Sequence, residues 1–333
     1  MTPAEELERA LFELRRVVVG QDRLLERLLV ALLARGHCLL EGVPGVAKTL
    51  AVETLARAAG GTFSRLQFTS DLVPSDIVGT RIFKPGSDRF DVELGPVFAN
   101  LVLADEVNRA PAKVQSALLE VMAERQVSLG GTTYPLPRPF LVLATQNPIE
   151  SEGVYALPEA QRDRFLLKVD VGYPSGSEEL AILHRMGVHP PVAEQVLTPE
   201  RLLALQDAAD RVFVHHAVAE YIVRLVLATR DPAPDIAGAL EFGASPRATL
   251  GLAAAARGLA LLRGREYVLP EDVGDLAGDV IAHRLVLSYD AVADGVDPRW
   301  VVDRVLAAVP PPRLAPARDV LSPAASTVDG AAA

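Results

Sequence analysis

Cysteine is nearly absent from the sequence. Cys38 is the only one among 333 residues, and it lies in the apolar run HCLL. A single cysteine excludes a disulfide framework and a thiolate metal cluster within the chain, so we expect a reducing, cytoplasmic environment. Apolar runs of about 18 residues, the length that a membrane-spanning helix needs, are missing too. The start, MTPAEELERALFEL, is acidic and amphipathic, which is not typical of an export signal.

Positive charge is in deficit, since 33 Lys and Arg stand against 43 Asp and Glu and give a formal net charge of -10. This balance provides no overall attraction to nucleic acid or to an anionic membrane. We therefore expect no nucleic acid among the partners. Histidine is scarce as well, and the only cluster among the six is His215 with His216. No further ligands stand at metal-site spacing from this pair, so we interpret it as the start of a helix.

The first half of the chain alternates short apolar runs with longer segments of helical periodicity. Half of all residues are apolar, which is enough to bury a substantial core. Segments between the runs, such as PAKVQSALLEVMAERQ, carry apolar residues at helical spacing. This alternation predicts an α/β fold with a doubly wound, mainly parallel sheet. The five predicted strands are HCLLE, TFSRLQF, LVLADE, FLVLATQ and FLLKVDV.

Strand signals disappear after about Pro174, and the segments that follow have a helical pattern, beginning with TPERLLALQDAADRV. We therefore predict an α/β core over residues 1–174 and a small all-α domain over residues 175–318, joined near GYPSGS. The last segment, residues 319–333, contains too few large apolar side chains to pack. It is predicted to be a disordered tail.

The decapeptide EGVPGVAKTL is one residue away from a phosphate-binding loop. A predicted strand ends at Glu41, a turn with Gly and Pro follows, and Lys48 and Thr49 open an apolar helix. In such a loop, backbone N–H groups surround phosphates, the Lys reaches the terminal phosphates and the Thr ligates magnesium. The usual pattern has Gly before the Lys, where this sequence has Ala47; alanine fits there without strain if its φ is negative. A purely structural glycine turn is the alternative interpretation.

Two further predicted strands end in polar residues that suit phosphate chemistry. LVLADE ends with Asp105 and Glu106, and FLVLATQNP places Asn147 at the equivalent position of its own strand. Ligands of a doubly wound sheet bind beyond the C-terminal strand ends, so we expect these side chains at one edge. Asp105 would hold the magnesium shell, Glu106 would orient or deprotonate the attacking water, and Asn147 would contact the γ-phosphate or the water. Solvated strand ends, a helix cap or a simple turn are the alternatives.

Several long motifs, in the same order, resemble the AAA+ ATPases and, within them, the MoxR group. They are GPVFANLVLADEVNRAPAKVQSALLEVMAERQ, ATQNPIESEGVYALPEAQRDRF and GASPRA, and the resemblance extends from about Leu11 to Pro310. It implies a P-loop AAA+ core followed by a helical lid domain, with ATP and Mg2+ as cofactors. Members of the MoxR group share the alanine at the position of Ala47.

The resemblance also implies the residues of the site. VVVGQD matches the segment that lies against the adenine, EGVPGVAKTL matches Walker A, ADE matches Walker B, and Asn147 matches sensor 1. Thr49 and Asp105 are the implied ligands of the metal. The implied nucleotide-binding residues are Gly20, Gln21, Gly42, Val43, Pro44, Gly45, Val46, Ala47, Lys48, Thr49 and Leu50.

Two arginines complete the implied site. In AAA+ proteins an arginine of one subunit reaches the nucleotide of its neighbour, and Arg164 matches it because it precedes Phe in the DRF element. Arg162 stands where the group usually has an apolar residue and is a rival candidate. In GASPRA, Ser245 suits a helix N-cap and Pro246 a first helical residue, so Arg247 falls in the first turn of a helix. The resemblance makes Arg247 the sensor 2 that reaches back to the phosphates; a surface arginine is the alternative.

Two insertions are similar to those of the same clade. TSDLVPSDIVGTRIFKPGSDRFDVELGP resembles the helix-2 insert, with a hairpin turning near KPGSD, and SLGGTTYPLPRP resembles the pre-sensor-1 hairpin. In the family such loops face the pore or the substrate, although exposed basic loops are most often only solvated. The basic residues on the two insertions are Arg81, Lys84, Arg89 and Arg138.

The resemblance therefore predicts an ATP-hydrolysing, chaperone-like machine that works as a homo-oligomer, with a hexameric ring as the expected assembly. It implies a partner protein that carries a von Willebrand factor A domain, in some members with metal insertion. Two other functions stay open. One is a nucleic-acid motor, against which the net charge argues. The other is a nucleotide-gated scaffold with little turnover.

Overall fold

Five parallel strands form the central sheet, and they confirm the five predicted from the sequence. Labels follow the order of the chain, and these strands are β1 (Cys38–Glu41), β2 (Phe63–Gln67), β5 (Leu101–Asp105), β8 (Leu141–Gln146) and β9 (Leu167–Asp170). Their order across the sheet is β2, β5, β8, β1, β9. The structure, a computed structural model, describes residues 2–84, 89–148, 154–187 and 190–313.

The strands form where apolar side chains continue without interruption. β5 is buried at every position and β8 at all but its last. Strands that are covered on both faces lose alternation, because each side chain meets a packed layer. Among the helices that cover the sheet, α2 packs against β9 and α3 against β5. The helices of the core domain are α1 (Pro3–Val17), α2 (Asp22–Leu33), α3 (Lys48–Ala59), α4 (Pro74–Val78), α5 (Ala112–Glu124) and α6 (Glu159–Arg162).

Both predicted insertions contain an antiparallel hairpin. The first pairs β3 (Gly79–Lys84) with β4 (Arg89–Leu94), and its turn, residues 85–88, lies outside the described residues. The second pairs β6 (Gln126–Leu129) with β7 (Thr132–Pro135). Its turn is formed by Gly130 and Gly131, which have φ values of +59° and +85°. The hairpins touch, because a Cβ added to Gly130 would lie 2.3 Å from Cδ of Arg81.

The second domain is helical, as predicted, with one addition. The short strands β10 (Leu240–Phe242) and β11 (Val286–Leu287) pair antiparallel, which the helical pattern did not predict. Residues 319–333, the predicted tail, lie outside the described residues. The helices are α7 (Gly176–Arg185), α8 (Pro199–Asp210), α9 (His216–Ala228), α10 (Pro234–Ala237), α11 (Pro246–Leu262), α12 (Pro270–Ile281), α13 (Tyr289–Ala293) and α14 (Pro298–Ala308).

A buried ion-pair network fixes the helical domain to the core. Asp279 of α12 is fully buried, and its carboxylate accepts from Arg27 of α2 at 2.7 Å. Arg23 of α2 and Arg299 of α14 donate to the same carboxylate at 2.6 and 2.8 Å. A carboxylate out of water needs such partners, since an unpaired buried charge costs several kcal/mol. The network therefore ties α2, α12 and α14 into one packed unit.

Candidate functional site

The glycine-rich turn adopts the geometry that phosphate binding requires. β1 ends at Glu41 and α3 begins at Lys48, so the turn leads directly into a helix N-terminus. Gly45 has a φ of +85°, and a Cβ added there would meet no atom within 4 Å. N–H groups at such a helix start, together with the helix dipole, form an anion site.

Ala47 does not have the negative φ at which an alanine would be free of strain. Its φ is +64° and its ψ is 20°, so the alanine occupies the left-handed region as the N-cap of α3. The condition of a negative φ is therefore not met, and the turn keeps the left-handed backbone that glycine adopts without strain. The cost for an alanine is about 1 kcal/mol, which the surrounding turn must offset.

Lys48 folds its side chain back over the turn. Its Nζ donates to the carbonyl oxygens of Gly42 and Gln146, the latter at 3.2 Å. Burial lowers the pKa of Lys48, and the carboxylates of Asp105 and Glu106 oppose that shift. The ammonium thus lies between the glycine-rich turn and the end of β8, with two carboxylates close enough to act on it.

The two carboxylates that end β5 are held differently. Asp105 is buried, and its Oδ1 accepts from the hydroxyl of Thr145 at 2.7 Å. Glu106 has a left-handed backbone with a φ of +58°, and its N–H donates to the same Thr145 oxygen at 2.8 Å. A non-glycine residue held in this region is strained, and such strain is typical of functional sites. Thr145 therefore holds the carboxylate of Asp105 and the backbone of Glu106 from the neighbouring strand.

Two contacts of these carboxylates were not predicted from the sequence. Arg65 donates to Oδ2 of Asp105 at 2.7 Å, and Gln67 donates to Oε2 of Glu106 at 2.7 Å. Both donors lie on β2, two residues apart, and so on the same face of the strand. The spacing of two residues between Arg65 and Gln67 is visible in the sequence. Together with a parallel pairing of β2 and β5, it could have predicted both contacts.

Most of the predicted P-loop residues and the three strand-end residues line one cavity of about 350 Å³ at the C-terminal edge of the sheet. Gly42, Val43 and Val46 are not part of its lining. The hydroxyl oxygen of Thr49 and the carboxylate oxygens of Asp105 are hard ligands of the kind that Mg2+ prefers, so these two residues fit this metal. The turn and the N-terminus of α3 fit a triphosphate. The cavity is lined by Pro44, Gly45, Ala47, Lys48, Thr49, Leu50, Asp105, Glu106, Thr145 and Asn147.

The segment predicted to contact the adenine lies beside the junction of the two domains. Gly20 has a φ of +74°, and a Cβ there would come within 2.7 Å of Cδ of Glu178 in α7. Gln21 donates from Nε2 to the carbonyl of Gly172 at 3.1 Å. Neither residue belongs to the lining of the phosphate cavity, so contact with the adenine stays a prediction.

Arg164 and Arg247, the arginines predicted to complete the site, do not line the phosphate cavity. They line a second cavity of about 370 Å³, which we call the arginine cavity. Arg164 and Leu166 precede β9, and the N–H of Leu166 donates to the carbonyl of His37, just before β1. The cavity is therefore at the N-terminal edge of the sheet, about 10 Å or more from the glycine-rich turn by the length of β1. Its lining includes five arginines, Arg35, Arg125, Arg164, Arg247 and Arg284, and one carboxylate, Asp163.

Asp163 gathers the start of α11 around the segment that precedes β9. Its carboxylate accepts from Ser245 at 3.1 Å, from Arg247 at 3.2 Å and from Arg284 at 2.9 Å. Ser245 is the N-cap of α11 and Pro246 opens it, as predicted. The expected reach of Arg247 to the phosphates of its own chain is not met, because Asp163 holds its guanidinium at the opposite edge of the sheet. Burial lowers the pKa of Arg284 to about 10, against the effect of Asp163.

Arg162 and Arg164 differ in exposure. Arg162 is partly buried in the last turn of α6 and contacts Glu159 at 3.5 Å. Arg164 is exposed and pairs with no carboxylate of the described residues. A side chain that must reach another subunit needs this exposure, so the geometry favours Arg164.

Metal ligation outside the phosphate cavity finds no support in the described segments. They contain no group of three or more His, Cys, Asp or Glu that could hold a metal ion. His215 is the N-cap of α9 and accepts from Ala217, and α9 begins at His216, as predicted. Across the same segments, no helix combines the length and the apolar character that crossing a bilayer requires.

Comparisons with known proteins find similar ATPases and MoxR proteins over most of the chain. The model of the ATPase family associated with various cellular activities (AAA) matches residues 37–167, and an AAA lid domain model matches residues 233–305. Chaperone MoxR1 of Mycobacterium tuberculosis is 64% identical over 312 residues, covering 92% of this chain and 83% of that protein. Protein MoxR of Paracoccus denitrificans is 36% identical over 89% of this chain and 93% of its own length. The crystal structure of a candidate ATPase from Cytophaga hutchinsonii is 44% identical, with a TM-score of 0.88 over 93% of this chain and 96% of that chain.

Proposed function

Because the chain belongs to the MoxR group of AAA+ ATPases, we propose that it hydrolyses ATP, with Mg2+, at a site shared between two subunits. The observation that carries this proposal is the separation of the predicted residues into two sets. Lys48, Asp105 and Glu106 line the phosphate cavity, and Arg164 is exposed at the opposite edge of the sheet. One chain therefore holds both halves of a site, facing in different directions.

The phosphate cavity has the groups that phosphoryl transfer to water needs. The N-terminus of α3 and Lys48 bind and orient the phosphates, and their positive charge stabilises the charge that develops on the γ-phosphate. Thr49 and Asp105 would hold Mg2+, which supplies further positive charge when bound. Glu106 orients or deprotonates the attacking water, and Asn147 contacts the γ-phosphate or that water.

Arg164 would complete the site of the neighbouring subunit. Its guanidinium meets the γ-phosphate of the neighbour, and an arginine so placed raises turnover by about a thousandfold or more. Arg247 lies beside it through Asp163, and we place Arg247 on the same neighbour-facing surface. Hydrolysis then depends on assembly, and a closed ring, with six subunits by family resemblance, gives every site such a neighbour.

The work of this assembly is proposed to be chaperone-like. A relative 64% identical to the chain is named a chaperone. We propose that the ring remodels or matures a partner protein, and the family resemblance favours one with a von Willebrand factor A domain, with metal insertion as one form of maturation. The exposed hairpins β3–β4 and β6–β7 touch each other through Arg81 and Gly130, which supports one shared surface for that partner.

Mixing two defective variants tests the shared site. Glu106→Gln should bind ATP and assemble but lose hydrolysis, since the amide keeps the shape and cannot accept the proton. Arg164→Ala should lose turnover and keep its ATP affinity. The mixture should regain activity, because an intact Glu106 then meets an intact Arg164 at hybrid interfaces. Recovery with Arg162→Ala in place of Arg164→Ala would show that Arg162 is the trans arginine, and recovery with neither would refute the shared site.

A further inference from the structure

Arg125 lines the arginine cavity, and it has no role in the proposed hydrolysis of ATP. It is the last residue before β6 and lines the same cavity as Arg164 and Arg247. Like Arg164 it is exposed. A molecule that binds at the N-terminal edge of the sheet would therefore contact this guanidinium.

The charges of the cavity are unevenly compensated. Arg35 pairs with Asp207 and Asp210, and Arg247 and Arg284 share Asp163. Within the described segments, Arg125 donates one side-chain hydrogen bond, from Nη2 to the carbonyl of Arg35 at 2.8 Å, and pairs with no carboxylate. Two of the five cavity arginines, Arg125 and Arg164, therefore keep an uncompensated positive charge.

The surroundings of Arg125 disfavour its charge. Loss of hydration at the part of the side chain that enters the cavity lowers the pKa of Arg125, and the positive charges of Arg138 and Arg35 lower it further. Like charges that converge without acids are stabilised when an anion joins them. Phosphate oxygens suit this role, because the planar guanidinium can donate to two of them at once.

The backbone at Arg125 adds an independent argument. Its φ is +52° and its ψ is 30°, the left-handed conformation that ends α5. Glycine is the residue that usually takes this position, since a side chain there is strained. The chain thus carries an arginine where local structure favours glycine, which indicates that the side chain has a task beyond ending the helix.

We propose that Arg125 is a second phosphate-binding residue that one subunit contributes to the ATP site of its neighbour, beside Arg164. The inference rests on the proposed function, because it takes the neighbour's triphosphate as the anion that covers the arginine cavity. Arg125 and Arg164 lie on different elements around one cavity, so they approach the phosphates from two sides. The alternative is a structural arginine that only joins the end of α5 to the end of α2 through the carbonyl of Arg35.

The substitution Arg125→Gly separates these two roles. Glycine suits the left-handed backbone, so the variant should unfold at the temperature of the wild type or above it. Turnover at saturating ATP should fall by about tenfold or more, because a donor to the developing charge is lost. Arg224→Gln, which removes one exposed positive charge from α9, should keep turnover within about twofold of wild type and controls for net charge.

Mixing identifies the site at which Arg125 acts. Arg125→Gly mixed with Glu106→Gln should exceed the summed turnover of the two alone, because the intact Glu106 of one chain meets the intact Arg125 of the other. The double variant Arg125→Gly, Glu106→Gln mixed with wild type should show no such gain. If the glycine variant does not fold, Arg125→Asn takes its place, since asparagine also tolerates this backbone.

The result of the reference mixture, Arg164→Ala with Glu106→Gln, distinguishes the ways of failing. If the reference mixture recovers and the Arg125→Gly mixture does not, Arg125 acts within its own subunit and the inference is wrong, while the shared site stands. Turnover of Arg125→Gly within about twofold of wild type would also overturn it. If neither mixture recovers, the shared site fails and the inference fails with it.

Discussion

Gln67 donates a hydrogen bond from its amide to the carboxylate of Glu106 at 2.7 Å, so a side chain at the end of β2 holds the proposed catalytic carboxylate at the end of β5. Arg109 approaches the same oxygen at 3.2 Å. An oxygen that accepts a hydrogen bond and lies beside a guanidinium is less available to a water molecule. Immediately after Gln67 the chain continues through Phe68 into the first insertion. The hydrogen bond to Glu106 therefore lies next to the start of that insertion.

Removing that hydrogen bond should release Glu106. Gln67→Ala is expected to raise turnover without a partner by about fivefold, which corresponds to about 1 kcal/mol of barrier. ATP affinity should stay at the wild-type value, because Gln67 is not part of the lining of the phosphate cavity. Steady-state turnover and equilibrium binding of a fluorescent ATP analogue measure the two quantities. A fall in turnover would show instead that Gln67 positions Glu106 for the reaction.

The left-handed backbone of Ala47 predicts opposite effects for two substitutions. Ala47→Gly relieves strain at the φ of +64°, and we expect it to leave the stability unchanged or to raise it by up to about 1 kcal/mol, with ATP affinity retained. Ala47→Val places a branched side chain in the same conformation and should lower both. Urea unfolding and ATP binding compare the pair. Equal stability of the glycine and valine variants would contradict the conformation at this position.

Stability should depend on pH through His37, which is buried just before β1. Its Nδ1 accepts from the N–H of Val142 at 2.9 Å, and burial lowers the pKa of His37 to about 4. The unfolded chain takes up a proton below about pH 6.5, whereas the folded protein keeps the ring neutral. The contribution of His37 is therefore complete above about pH 6.5 and is lost as the pH falls toward 4.

The size of this effect follows from the two pKa values. Between pH 7 and pH 5 the free energy of unfolding should fall by about 2 kcal/mol through His37 alone. In His37→Asn, which keeps an acceptor for Val142, that part of the pH dependence should vanish. Urea unfolding at the two pH values measures it in both proteins. The same slope in the variant and the wild type would show that His37 is not the group responsible.

Much of the fold could be predicted because its signals are local. The runs that became β5 and β8 are apolar at nearly every position, and burial on both faces is what such runs predict. The pair β10–β11 could not be predicted in this way, since three and two residues are too few to show a period. The conformation of Ala47 could not be predicted either. The turn requires a left-handed backbone there and alanine disfavours it, and composition alone does not determine which of the two preferences decides the conformation.

The residues of the candidate site also differ in whether a local signal in the sequence predicts their position. Lys48, Asp105 and Asn147 each follow a strand signal, and parallel strands bring such positions to one edge of the sheet. Arg247 shows the limit. Its place in the first turn of α11 was predicted, yet its partner Asp163 is 84 residues away in the chain, and no local pattern fixes how α11 is oriented on the core. Tertiary packing decided which edge of the sheet received that arginine.

The dependence of ATP turnover per subunit on protein concentration tests the shared site most directly. Glu106→Gln serves as the blank, and light scattering on the same samples reports the assembly. We predict that turnover per subunit rises cooperatively as subunits associate, because each phosphate cavity gains its arginines from a neighbour. Turnover per subunit that stays above the blank and does not change on dilution into the monomeric range would contradict a site completed between subunits.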